Sequence, residues 1–244
     1  MKTSKKVALI VAAFLFVCGA VLSAVGFSMG VGAEKTYGPS AECQESSFTV
    51  SELFYSVSVD TDECDVSFLQ STNGSCRVTC YAPKGVEYIV AVEEGMLTVC
   101  EMDTRAWYEK WGIGNERVHM EIYLPQMTGT ELSITTDTGD VTLADCHSDT
   151  LGAHTGTGDV QLRRSVAGHV GITTDTGDVA LQAVGAEDME IETATGNVTG
   201  TLLSPKTFEV KTSTGDVNVP KSVEGAGMCT ITTSTGDVNI QIQE

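Results

Sequence analysis

Six short stretches decide the fold: TDTGDVTL at 136–143, TGTGDVQL at 155–162, TDTGDVAL at 174–181, TATGNVTG at 193–200, TSTGDVNV at 212–219 and TSTGDVNI at 233–240. Their glycines, Gly139, Gly158, Gly177, Gly196, Gly215 and Gly236, follow one another at intervals of 19, 19, 19, 19 and 21 residues. A period this regular marks units that cannot bury an apolar face alone and must stack on their neighbours.

The residues around each corner supply that face. Upstream, Leu132, Leu151, Val170, Met189, Phe208 and Cys229 occupy one column, and Ile134, Ala153, Ile172, Ile191, Val210 and Ile231 the column two residues on. Downstream come Val141, Val160, Val179, Val198, Val217 and Val238, then Leu143, Leu162, Leu181, Gly200, Val219 and Ile240. Polar residues alternate with them, which is the period of a strand buried on one side. Each coil therefore sends about four side chains inward, and adjacent coils pair as parallel strands about 4.8 Å apart. The expected fold is all-β: a single-stranded parallel β-helix, or β-solenoid, of 19-residue coils. Glycine suits the corner because a turn often needs positive φ, where other residues incur roughly 1–2 kcal/mol. The following Asp can accept a backbone N–H and hold the turn, and valine restarts the strand.

Before residue 125 the pattern is weaker. Ser58 to Phe68 reads as a degenerate corner with Cys64 in the glycine's place, and segments 88–92, 97–99 and 118–124 read as strands. The expected organisation is a stub and anchor over 1–33, a linker over 34–47 and a solenoid over 48–244. Irregular coils fill 48–128, with an insertion at 101–116, and six regular coils fill 129–244.

Lys2, Lys5 and Lys6 precede an uncharged run of 24 residues from Val7 to Gly30, longer than the roughly 20 needed to cross a bilayer. One N-terminal transmembrane helix is expected, with the N-terminus cytoplasmic and the solenoid extracellular. The run is also much longer than the core of a signal peptide, which favours a retained anchor over a cleaved signal. From Glu34 onward 11 basic residues face 33 acidic ones, a net charge of −22. Such a surface repels phosphate backbones, so nucleic acid is excluded as a partner.

The apolar run ending in Gly26-Phe27-Ser28-Met29-Gly30, the strand Tyr123-Leu124-Pro125 and the repeated T-x-T-G-D-V corners resemble the bacterial DUF4097 family, which carries the label "putative adhesin". The resemblance covers essentially the whole chain. It implies a β-solenoid displayed on the cell surface and brings no catalytic or ligand residues with it.

Candidate chemistry is sparse. Asp140, Asp159, Asp178, Asp216 and Asp237 would line one corner, as turn caps or as a ladder of calcium ligands. Asn197 stands in the same column and keeps the acceptor oxygen without the charge, which favours the cap; no cofactor is expected, calcium being the one candidate. The T-x-T rows look like the threonine ladders of ice-binding solenoids, but parity argues against that use, because Thr136 shares a strand side with Leu132 and Ile134. Cys146, His147, His154 and His169 occupy different columns and do not converge on a metal. Arg163 and Arg164 form the one basic pair of the repeats, too little for lyase chemistry, so no enzyme is expected. Trp107, Tyr108 and Trp111 in the insertion offer large rigid rings for a ligand, or for capping the solenoid. The function this supports is a non-catalytic adhesion or binding module at the cell envelope, with a cell-wall or surface glycan or protein as ligand. The alternatives are a scaffold stacking end to end and an accessory protein of envelope-stress sensing; oligomeric state is open.

Overall fold

The computed structural model describes residues 43–105, 118–125 and 130–243. The segment 7–30 expected to cross a membrane lies outside them, and no helix of the described residues is long and apolar enough to cross one. All regular structure in the described residues is β.

The regular coils carry two strands each, one on either side of the corner, and the coils stack into two parallel sheets, as the solenoid expectation requires. One sheet takes the strands before the corner: β8 (Glu131–Thr138), β10 (His147–Thr157), β12 (Val166–Thr176) and the long β13 (Val179–Thr195). The other takes those after it: β9 (Val141–Ala144), β11 (Val160–Arg163), the start of β13 and β14 (Val198–Leu202). Pairing is parallel and advances by one period, with Leu132, Leu151, Val170 and Met189 in one row and Val141, Val160, Val179 and Val198 in another. Leu132, Ile134, Val141 and Leu143 and their counterparts in the next two coils are buried, as the alternation requires. Each fully buried aliphatic side chain contributes about 1.5–3 kcal/mol.

A second corner closes three successive coils. Asp145, Arg164 and Ala183, again 19 residues apart, adopt φ of 57°, 47° and 54°. Three non-glycine residues thus carry left-handed backbone in one column, a feature the sequence does not announce.

Coils do not stack in sequence order at either end. The last two are β15 (Thr207–Thr214) with β16 (Val217–Asn218), then β17 (Met228–Thr235) with β18 (Val238–Ile242). β17 pairs with both β13 and β15, and β18 with both β14 and β16. The chain therefore skips one slot after β14, lays down the outermost coil, and returns to fill the gap. Buried Lys206 sits at the skip and donates from Nζ to the carbonyls of Ala186 and of Glu187, the latter at 3.1 Å. β18, the last strand of the chain, is therefore internal, and β15–β16 is the end of the stack. Hence Val217 is 46% exposed and Phe208 and Val210 only partly buried, although their columns are core elsewhere.

The N-terminal end repeats the device. β2 (Ser56–Thr61) and β3 (Asp65–Gln70) form a coil lying between β8–β9 and the later strands β6 (Met96–Asp103) and β7 (His119–Leu124). Here parallel stacking stops, contrary to the all-parallel expectation. β5 (Val86–Glu93) runs antiparallel to β6, β4 (Cys76–Ala82) antiparallel to β7, and β1 (Gln44–Val50) antiparallel to β4. β1 starts inside the expected linker 34–47, and β6 runs into the expected insertion 101–116. The core here is heavier, with Phe68, Leu97, Met120 and Ile122 fully buried. Cys76, Val78 and Cys80 share its face of β4.

Candidate corner ladder and outer faces

The T-x-T-G-D-V corner is a continuous hydrogen-bonded ladder. The backbone N–H of Asp140 donates to Asp65 Oδ1 at 2.9 Å, that of Asp159 to Asp140 Oδ1 at 2.9 Å, and that of Asp178 to Asp159 Oδ1 at 2.8 Å. Asn197 N–H donates to Asp178 at 2.7 Å, Asp237 N–H to the Asn197 side-chain oxygen at 2.9 Å, and Asp216 N–H to Asp237 at 2.8 Å. Asp65 is thus the first rung, directly after Cys64 in the glycine's place.

A second ladder runs behind the first. The hydroxyls of Thr155, Thr174, Thr193, Thr233 and Thr212 donate to the carbonyl oxygens of Gly139, Gly158, Gly177, Gly196 and Gly236 at 3.1–3.3 Å. The glycines are demanded by this contact. A Cβ on Gly177 would lie 1.9 Å from the carbonyl oxygen of Gly158, and one on Gly158 would lie 2.0 Å from that of Gly139. At Gly139, Gly158, Gly177 and Gly196 crowding by the neighbouring coil, rather than φ, excludes side chains, whereas Gly215 and Gly236 also carry positive φ of 146° and 153°.

The remaining candidates are dispersed. His147, His154 and His169 are exposed and pair with different rows, while Cys146 is buried. Among the described residues no group of three or more His, Cys, Asp or Glu is placed to hold a metal. Arg164 donates twice to Asp145, at 2.7 and 2.6 Å, and its guanidinium holds the Asp145 carboxyl below the usual carboxylate range. Burial pushes the thiols of Cys64, Cys80 and Cys146 up to about 12 and those of Cys76 and Cys229 to about 11. They are core side chains, without the lowered pKa of a nucleophile. Trp107, Tyr108 and Trp111 lie outside the described residues.

The sequence did not point to a polar groove across β1, β4 and β7, lined by Glu45, Arg77, Tyr81, Glu121 and Tyr123 among others. Its one signal is the alternation Arg77, Thr79, Tyr81 against Cys76, Val78, Cys80. That alternation shows an outward face without showing which strands flank it.

Comparison with known proteins bears on the fold. A "putative cell adhesion protein" from Clostridium sporogenes ATCC 15579 superposes with a TM-score of 0.55 at 13% identity, over 83% of this chain and 100% of its own. A "putative adhesin" from Bacteroides fragilis NCTC 9343 gives a TM-score of 0.49 at 16% identity, over 83% and 99%. At 13% identity the likeness to the first is one of fold alone. Among curated proteins no sequence matches. The sequence profile described as Toastrack DUF4097 matches residues 54–244, nearly the whole solenoid. The chain belongs to the Toastrack DUF4097 family.

Proposed function

We propose that this chain is a membrane-anchored, extracytoplasmic solenoid acting as a non-catalytic adhesion or binding module at the cell envelope. The observation that carries this is how the repeat uses its polar groups. The corner Asp, Asn and Thr side chains hold coil to coil. That leaves broad outer faces, such as the row Ser133, Gly152, Gly171 and Glu190, free for contact. The apolar run 7–30 behind its lysines supports the anchor and its orientation. Trp107, Tyr108 and Trp111 are proposed contact residues for a glycan or protein ligand.

Co-sedimentation of the full-length chain with purified cell-wall sacculi tests this, alongside surface protease digestion of intact cells. Saturable binding and surface cleavage are expected, with binding weakened by Trp107→Ala and Trp111→Ala. A chain that is protected from external protease and fails to sediment would refute it.

A scaffold that grows end to end is the second reading, favoured by the open end coil. Val217 and Val223 are each 46% exposed there. The net charge of −22 beyond residue 33 opposes such self-association. Light scattering over a concentration series separates the two, since a scaffold gains mass with concentration.

A further inference from the structure

The groove on the outer face of β1, β4 and β7 has the makings of a ligand site. Register brings Glu45 beside Tyr81 and Tyr81 beside His119; one step along, Ser47, Thr79 and Glu121 align, and beyond them Arg77 and Tyr123. Because strand side chains alternate, all of these share the face opposite the buried Cys76, Val78 and Cys80. The loop joining β3 to β4 forms one rim. There Asn73 Oδ1 accepts from the Ser71 hydroxyl at 2.7 Å, the Ser75 hydroxyl at 2.8 Å and the Ser75 N–H at 3.1 Å, so the rim is held in one shape. The groove is open on one side and offers about 290 Å³.

Two aromatic rings in the groove are fixed before any ligand arrives. Tyr81 stacks on His119 with ring centroids 4.3 Å apart and planes 15° from parallel. The Tyr123 hydroxyl donates to Glu121 Oε2 at 3.0 Å, which orients the phenol and shapes the carboxylate beside it. Rings held this way lose little freedom on binding. Around them stand a guanidinium that donates, two carboxylates that accept, and hydroxyls that do both.

The lining discriminates among occupants. An apolar peptide or an acyl chain would strip water from Arg77, Glu45 and Glu121 without replacing their hydrogen bonds, at large cost. A polyanion would meet two carboxylates for one guanidinium on a chain carrying a net charge of −22 beyond residue 33. A pyranose unit, with its C–H face and its rim of hydroxyl or amino groups, satisfies both rings and polar groups. Pockets for small ligands begin at about 300 Å³, so the space suits one sugar unit of a longer chain.

We propose that this groove is a saccharide-binding site, taking one pyranose of a neutral or amino-sugar glycan, with Tyr81 and Tyr123 as ring platforms and Arg77, Glu45 and Glu121 reading its polar rim. This rests on the reading of the chain as a binding module and names a site and ligand class for it.

The test is isothermal titration of the full-length chain in detergent with three trisaccharides: N-acetylchitotriose, chitotriose and trigalacturonate. Tyr81→Ala, Arg77→Ala and Tyr123→Phe are measured beside it, with melting curves to show that each still folds. Binding of one or both of the first two, weakened about tenfold or more by Tyr81→Ala or Arg77→Ala, is expected. No binding of either, equal binding by folded variants, or preference for trigalacturonate would overturn the proposal. Sedimentation with sacculi keeps the two claims apart. If wild type and groove variants sediment alike, the groove is wrong and the binding module stands. If neither sacculi nor trisaccharides bind the wild type, both fall.

Discussion

The backbone N–H of Asp159 donates to Oδ1 of Asp140, 2.9 Å away and one coil earlier. The same bond recurs along the stack, so every corner carboxylate except that of Asp216 in the end coil serves as a structural acceptor for its neighbour. Two substitutions separate the acceptor from its charge. Asp159→Asn keeps the oxygen and removes repulsion between aligned carboxylates, as Asn197 already does, so its stability should equal or exceed wild type. Asp159→Ala removes the acceptor and should cost about 1 kcal/mol. Urea unfolding of both variants checks this; equal loss in the two would mean the charge itself matters.

Millimolar calcium provides a second test of the same column. With Oδ1 engaged by a backbone N–H at every rung but Asp216, the expected result is an unmoved melting midpoint. A rise that EDTA reverses would show a cation ladder acting by mass action.

Glycine in the corner answers to the neighbouring coil. A Cβ at Gly177 would sit 1.9 Å from the Gly158 carbonyl oxygen, whereas one at Gly152 meets nothing nearer than 3.8 Å. Gly177→Ala should therefore destabilise by about 3 kcal/mol or more, because backbone on both sides must shift. Gly152→Ala, in a strand interior, should be neutral or mildly stabilising. Thermal melts of the pair isolate crowding from the general effect of losing glycine.

This contrast also shows what could be read from sequence and what could not. The 19-residue period placed Gly139 to Gly236 at one corner and Val141 to Val238 inside it, because spacing along the chain dictates what shares a column. Spatial order is a different quantity. Nothing in Thr207 to Ile242 announces that β17 and β18 slip between β13–β14 and β15–β16; the interval of 21 in place of 19 is the one trace. The corner at Asp145, Arg164 and Ala183 was hidden because three unlike side chains occupy it. The groove was hidden because its walls come from antiparallel strands that lie outside the repeat.

That second corner invites a test by strain relief. Ala183 holds φ of 54°, a region costly for any residue with a Cβ. Ala183→Gly should raise stability by about 0.5–1 kcal/mol, since glycine adopts this backbone without penalty but is freer when unfolded. A loss of stability would mean the Ala183 methyl packs more than its half-buried position suggests.

In the same column, Arg164 grips Asp145 and lowers its pKa. A carboxyl whose folded pKa is depressed contributes stability above its unfolded pKa and loses it as pH falls through the folded value. Arg164→Ala should therefore be less stable than wild type near neutrality, with the gap closing below the usual carboxylate range. The Arg164 side chain is mostly exposed and that of Asp145 partly so, so 1 M salt should shrink the gap as well. A gap that survives at low pH would trace to lost packing of the arginine stem.

The buried thiols predict behaviour at the other end of the pH scale. Burial raises Cys64, Cys80 and Cys146 to about 12, against an ordinary value near 9. Only the thiolate attacks alkylating or disulfide reagents, so in the native protein at pH 8 these three should stay unmodified and react at once in denaturant. The linkage follows the same sign. A raised folded pKa keeps its full stabilising effect below the unfolded value, and that effect drains away as pH climbs from about 9 toward 12, where the unfolded chain has already released the proton. Replacing Cys64 and Cys146 with Ala or Ser would also open cavities or bury hydroxyls, so Cys64→Val and Cys146→Val, which stay apolar, are the cleaner variants. Relative to wild type, their stability should fall less steeply between pH 9 and 11. Identical slopes would show that the alkaline loss arises from other groups, such as Tyr88, whose hydroxyl is also buried and shifted upward.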